Sequence, residues 1–291
     1  MRHRFAVRVG ETGFRVGAPW AGPIAALRTL YAGYPSPEGD VPGFTVGLEP
    51  TRPWRRWLRP SLMITGDFHL PEAAPLPLRQ GLLAAEMGMN LQMALGQRRF
   101  LLLHAASIER EGRAVILTGL SGSGKSTLAA LLMLRGWRLL GDEFALLDPG
   151  TGLLHPFPRP VSLKNESVAA VAAAAGRAGA ATRFGPWLRG TPKGDIRHLV
   201  PDAASLAAMT RPARPVAVLF PRWGFEPATR AVAPSEVFVR LTQASTNYVA
   251  LGEAAFRALT TLATQVPATA IDYPDADTAI AQVERVWDAA G

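Results

Sequence analysis

The sequence predicts an α/β protein, and three observations carry that prediction. From about residue 98 onward, short apolar runs alternate with helical patterns, as in a parallel or mixed sheet with packed helices. One of those runs, Arg113–Thr118, leads straight into a glycine-rich loop, and a helical run leaves it. Before residue 98 the texture is that of strands and two helical stretches, an α+β region. The 291 residues therefore divide into an N-terminal α+β region, 1–97, and a core, 98–291.

The elements follow in order. Phe5–Val9 and Gly13–Val16 alternate apolar residues with Arg or Gly and read as strands. Pro23–Tyr31 reads as a short helix that stops before a Gly-Tyr-Pro-Ser-Pro break. Gly43–Leu48 and Ser61–Leu70 read as two more strands. Between them, Arg52–Arg59 is basic and aromatic: either the rim of a hairpin with arginines stacked on tryptophans, or a docking patch for an acidic partner. Leu76–Leu95 is apolar at helical spacing and is closed by Gly96, Arg98 and Arg99. Phe100–Ile108 reads as one strand and Arg113–Thr118 as the next, followed by a helix over Ser126–Arg135. Trp137–Leu140 and Phe144–Leu147 read as strands on either side of an acidic pair. Ala169–Ala181 is Ala-rich and predicts a helix and turn without chemistry of its own. Pro215–Pro221 is a buried-strand pattern, Gly252–Thr264 a helix, Ala268–Tyr273 a strand and Asp275–Ala289 an amphipathic helix.

Composition excludes several classes. Hydrophobic residues make up 48% and charged residues 19%, which supports a core and excludes a disordered chain. Cysteine is absent, so there is no disulfide framework, thiolate metal site or cysteine nucleophile. The net charge is +8, but the arginines are scattered and no zinc-finger, KH or RNP pattern occurs, so nucleic acid is not expected as a partner. No window holds the roughly 18 uncharged apolar residues of a membrane helix. The N-terminus reads as a strand, not a signal peptide, which makes the cytoplasm the expected compartment. Of 31 basic residues only Lys125, Lys164 and Lys193 are lysine. Against so strong an arginine bias, a lysine marks a place that needs an ammonium ion.

Gly119-Leu-Ser-Gly-Ser-Gly-Lys125-Ser126 fits G-x-x-x-x-G-K-[ST] at every position, between an apolar strand and a helix. Gly119, Ser121, Gly122, Ser123 and Gly124 let backbone N–H groups turn inward around phosphate oxygens, and the helix start at Thr127 adds its dipole. Lys125 is placed to reach the β- and γ-phosphates and Ser126 to ligate Mg²⁺. Asp142 and Glu143, the only adjacent acidic pair, end a strand 17 residues after the lysine. That spacing leaves room for one helix and one strand, shorter than in switch GTPases or ATPase motors, and no Asn-Lys-x-Asp guanine-reading motif occurs. His104 sits one strand before the loop, as a core residue or an active-site residue. Lys164 and Lys193 lie in Pro/Gly-rich loops, where binding residues are often carried. Arg159 and Arg222 are further candidates for contacts to phosphate or to an acidic acceptor.

The order of His104, the Gly119–Ser126 loop and Arg135-Gly-Trp-Arg-Leu-Leu-Gly-Asp142-Glu143 resembles HPr kinase/phosphorylase. The likeness is closest to the group called HprK-related kinase A, through His104-Ala-Ala, Pro158-Arg-Pro-Val-Ser-Leu-Lys-Asn165, Lys193-Gly, Phe220-Pro-Arg222, Asn247-Tyr248 and Arg55-Arg-Trp-Leu-Arg-Pro60. The resemblance implies a P-loop kinase core of the HPr kinase/phosphoenolpyruvate carboxykinase type, Mg²⁺-ATP, and transfer to a serine of a small protein or peptide. It gives Lys125 and Ser126 to phosphate and Mg²⁺, Asp142 and Glu143 to metal ligation and general base in either order, and His104 to the active-site histidine. It leaves room for a homo-oligomer. Glu143 stands where HPr kinase has a second Asp, and Ala105 stands where it has Gly, so the acceptor need not be HPr and the reverse phosphorolysis is not implied. The sequence thus predicts an ATP-dependent serine kinase whose residues 1–97 position the acceptor. An ATPase switch and a non-catalytic peptide-binding module are the other two classes it allows. All three lysines are expected on one cleft.

Overall fold

The structure, a computed structural model, describes residues 1–36, 41–69 and 74–290. The N-terminal strands form because alternate residues are apolar. β1 (His3–Val9) buries Val7 and Val9, and β2 (Thr12–Ala18) buries Phe14, Val16 and Ala18. α1 (Ala21–Leu30) follows, then β3 (Phe44–Pro50), β4 (Ser61–Gly66) and the short β5 (Leu76–Pro77). These make a five-stranded sheet in the order β1-β2-β3-β4-β5, with β2 and β3 parallel and the other pairs antiparallel. α2 (Gly81–Gly96) lays Leu82, Ala85, Met89 and Met93 into the core. Two elements differ from the sequence expectation. The strand expected to Leu70 ends at Gly66, and Leu70 lies outside the described residues. The helix expected from Leu76 begins at Gly81, because Pro77 offers no N–H to a helix and pairs instead as strand.

The core strands begin with β6 (Leu101–Leu103), β7 (Ala105–Arg110) and β8 (Arg113–Thr118). α3 (Lys125–Met133), β9 (Arg138–Gly141), β10 (Ala145–Leu147), β11 (Leu154–His155) and β12 (Val161–Lys164) come next. Then follow α4 (Glu166–Ala178), the hairpin β13 (Phe184–Thr191) and β14 (Gly194–Leu199), and α5 (Ala203–Ala207). The chain closes with β15 (Arg214–Trp223), β16 (Ala228–Ala231), α6 (Pro234–Ala244), α7 (Tyr248–Leu251), α8 (Glu253–Gln265), β17 (Ala268–Tyr273) and α9 (Ala276–Ala289). The main sheet has the order β16-β17-β15-β8-β7-β9, with β8, β15 and β17 mutually parallel. Two three-stranded sheets, β11-β10-β6 and β12-β14-β13, complete the architecture. The protein is a mixed α/β fold.

The continuous strand expected over Phe100–Ile108 is two strands. β6 pairs with β10 in a small sheet, and β7 pairs with β8 and β9 in the main sheet. The switch falls at His104, whose N–H donates to Ala244 O at 2.7 Å. Every residue on either side of it is buried, so no alternation betrays the change of sheet. The β13–β14 hairpin was not foreseen at all. Its pairing shifts register twice, and its residues mix Gly, Pro and Arg with single apolar ones.

The boundary near residue 97 falls in a loop, but the core crosses it. Val7, Phe14, Leu27, Met89 and Met93 share one apolar cluster with Phe144, Phe157, Leu188 and Ile196. Among the described residues no helix is long and apolar enough to cross a membrane.

Candidate functional site

The loop from Gly119 to Gly124 joins the C-terminal end of β8 to the N-terminus of α3, as the spacing predicts. Gly119 and Gly124 take φ values of +151° and +96°, open to glycine at little cost. At Gly124 space is also closed: a Cβ would stand 2.6 Å from Tyr273 Oη. The first N–H groups of α3 have no partner within the helix, so the positive end of its dipole faces the loop. Lys125 Nζ donates to the carbonyl oxygens of Gly119 and Leu120 at 2.8 and 2.9 Å. Burial lowers the Lys125 pKa; Asp142 and Glu143 pull it up, and Lys164 pushes it down again. Ser123 Oγ is buried and has no partner in the protein. An ammonium held only by carbonyls, a buried hydroxyl without a partner and an open helix terminus fit a phosphate group. Ser121 is exposed at the loop crest, and Thr127 lies in the first turn of α3.

The acidic pair sits where β9 ends. Asp142 is buried, and Ser126 Oγ donates to its Oδ1 at 2.9 Å. The backbone N–H of Ser162 donates to Oδ2 at 3.3 Å. Burial first, and then the charge of Glu143, push the Asp142 pKa up to about 6; Ser126, Ser162 and Lys125 restrain the rise. Glu143 has φ +75°, a region that costs a non-glycine residue about 1–3 kcal/mol. Its Oε2 lies 3.7 Å from Nδ1 of His104. Partial burial lowers the His104 pKa against the upward pull of Glu143, while Lys125 and Lys193 add to the lowering. Among the described residues no three or more His, Asp or Glu side chains gather into a metal cage. A divalent cation held by Ser126 and Asp142 would therefore complete its shell with water and phosphate oxygens, which suits Mg²⁺.

The raised pKa of Asp142 couples the stability of the fold to pH. The folded chain keeps the Asp142 proton up to about pH 6, while the unfolded chain loses it near the ordinary value of 3.8. Between those values the folded state binds more protons, so stability falls as pH rises through that window. Asp142→Asn is expected to remove this fall in stability, because the amide does not titrate between 3.8 and about 6. Thermal unfolding at a series of pH values checks this; parallel curves for the two proteins would contradict it.

The other candidates separate. Lys164, at the end of β12, is close enough for its charge to act on Lys125, and Lys193, at the β13–β14 turn, acts on His104. Arg222 is exposed at the end of β15 and pairs through two hydrogen bonds with Asp272, at 2.8 and 2.5 Å. Arg159 corrects the sequence reading. It is 4% exposed and ion-paired with Glu86 at 2.5 Å; it also bonds Tyr31 Oη at 3.1 Å and Asn90 Oδ1. Burial disfavours its charge, but Glu86 and Tyr31 raise its pKa overall. An arginine so enclosed holds the N-terminal region to the core and cannot reach a phosphate on the loop.

Four residues near the loop or the acidic pair were missed. Ser162 supplies the second bond to Asp142. Tyr273 donates its hydroxyl to Ser123 O at 3.4 Å, and Trp223, 53% exposed, packs edge-on to Tyr273 with ring centroids 5.9 Å apart. His198 pairs with Ser162 in the β12–β14 ladder; it is buried, its Nδ1 has no partner, and burial lowers its pKa. The only sequence signal was for Ser162, which lies in the Pro158–Asn165 stretch. Comparison of the sequence with protein-family models and with curated proteins finds no match.

Proposed function

We propose that the chain is a Mg²⁺-ATP-dependent kinase that transfers the γ-phosphate to a serine hydroxyl of a small protein or peptide, with a P-loop kinase core over residues 98–291. One observation carries this reading: Ser126 and Asp142 meet at 2.9 Å directly beside a glycine loop closed by a buried lysine. That places a hydroxyl, a carboxylate and an ammonium around one point, the set that phosphoryl transfer requires. Loop amides and Lys125 hold the phosphates. Ser126 and one carboxylate hold Mg²⁺, which when bound shields the charge of the phosphates. The other carboxylate accepts the proton of the attacking hydroxyl. His104, beside Glu143, holds that carboxylate in place or passes its proton onward. Lys164 and Lys193 offset charge on the transferred group. The reading places the chain in the cytoplasm, where ATP is supplied.

Incubation with γ-labelled ATP and candidate acceptors tests this. Label on a peptide serine supports the kinase. Free phosphate alone makes the chain an ATPase switch, and tight nucleotide binding without turnover makes it a binding module.

Trp223 adds a prediction about the nucleoside end. In the structure its Cβ lies 3.6 Å from where a Cβ on Gly124 would stand, and its ring is half exposed. On this reading that ring is a stacking face for the base, and one stacked base is worth about 1–3 kcal/mol. Trp223→Ala is expected to weaken ATP binding about 10-fold while inorganic tripolyphosphate binds unchanged. Equal losses for both ligands, measured by calorimetry, would remove Trp223 from base binding.

A further inference from the structure

The segment between β3 and β4 forms a 3-10 turn over Pro53–Arg56, pinned to the start of α1 by Trp20 Nε1 donating to Arg56 O at 2.9 Å. Arg52 lies over the Trp54 ring at 5.3 Å and Arg56 over Trp57 at 5.4 Å, so the hairpin-rim expectation holds. The rim is nevertheless unusual in three ways. Trp54, Trp57 and Leu58 are 51%, 74% and 67% exposed. None of Arg52, Arg55, Arg56, Arg59 or Arg79 has a carboxylate within salt-bridge distance among the described residues, whereas many other arginines do. Arg59 is held at φ +46°, a strained value for a side chain of its size.

Beside this rim lies a groove of about 890 Å³, lined by Trp20, Pro23, Leu76, Leu78, Trp187 and the two arginines Arg59 and Arg79. Trp187 belongs to β13, which runs from the groove to the turn that carries Lys193. At roughly 3.3 Å per residue, Leu188 to Thr191 spans about 10 Å of strand. Gln80, between the lining residues Arg79 and Gly81, donates from Nε2 to Gly190 O at 3.0 Å and ties that segment to the strand. Aromatic and Arg side chains are what peptide-binding surfaces enrich, and unpaired guanidinium groups call for carboxylates.

We propose that this groove docks an acidic peptide with interspersed apolar residues, in an extended form that follows β13 toward Lys193. A concave, strand-lined site favours a chain over a flat anionic membrane. The inference rests on the kinase reading only in making this peptide the acceptor; docking is tested without nucleotide. The probes are two fluorescein-labelled 15-residue peptides, one of Glu-Leu-Pro repeats with a central Ser and one with Lys for Glu, followed by fluorescence polarisation. The wild type is expected to bind the acidic peptide at least about 10-fold more tightly, with affinity falling as salt is raised. Arg52→Glu/Arg59→Glu/Arg79→Glu is expected to lose that preference, while the three Arg→Lys changes keep most of it. Unchanged thermal unfolding of both variants shows that the fold persists. Equal binding of the two peptides, an unaltered charge-reversal variant, or tighter binding to phosphatidylglycerol vesicles than to the acidic peptide overturns the proposal. Failure to turn over ATP, with peptide preference intact, overturns the kinase reading and leaves the docking groove standing.

Discussion

Lys125→Met is expected to lower phosphoryl transfer about 10³-fold, with little change in folding. The ammonium bonds only to the carbonyls of Gly119 and Leu120, so the folded chain loses no ion pair with it. On the kinase reading, what disappears is a preorganised positive charge where negative charge would grow on the transferred group, and single donors of this kind are worth about 10²–10³ in rate. Lys125→Arg is expected to restore little, because a planar guanidinium cannot replace a compact ammonium inside a closed loop. On the same reading Lys164→Ala and Lys193→Ala are expected to cost about 10-fold each in kcat, since the charge of Lys164 acts on Lys125 and that of Lys193 on His104. Initial rates with labelled ATP check all four. A Lys125→Met protein that keeps more than about a tenth of the wild-type rate would falsify the assignment of the loop.

The largest stability effect belongs to Arg159→Met. That substitution leaves the Glu86 carboxyl without its guanidinium partner in a site where it is 5% exposed and where Glu86 Oε1 already lacks a partner. Removing one partner of a buried pair costs about 3–5 kcal/mol, most of it the desolvation of the survivor. Arg159→Met/Glu86→Leu, which removes both charges, is expected to recover most of the loss. Urea unfolding of the single and double variants separates the two terms. If the double variant is no more stable than the single one, packing against Tyr31 and Asn90 holds the region and the ion pair contributes little.

How far the site could be read from the sequence depended on how far apart its parts lie along the chain. Lys125, Ser126 and Asp142 fall within one strand–helix–strand unit, and local spacing was enough to bring them together. Ser162, Trp223 and Tyr273 arrive from other strands, and only sheet order sets them beside the loop. Arg159 was misplaced for the same reason. Its partner Glu86 is 73 positions away on α2, and a charged residue between two prolines reads as exposed until that helix is known to cover it. Most strands were legible because they are apolar and short. The break at His104 was hidden because both halves are buried on both faces. The β13–β14 hairpin was hidden because its bulges erase alternation. The division near residue 97 follows a change in composition, while the packing follows the three-dimensional core.

That shared core bears on how such a chain could be altered or inherited. Phe14 packs against Phe157 with ring centroids 6.1 Å apart, and Tyr34 donates to Pro158 O at 2.7 Å. An exchange of residues 1–97 with the corresponding piece of another protein would therefore graft a foreign half onto a cut apolar surface. If the groove docks the acceptor as proposed, point changes on it and its arginine rim alter the choice of partner while leaving the buried seam untouched.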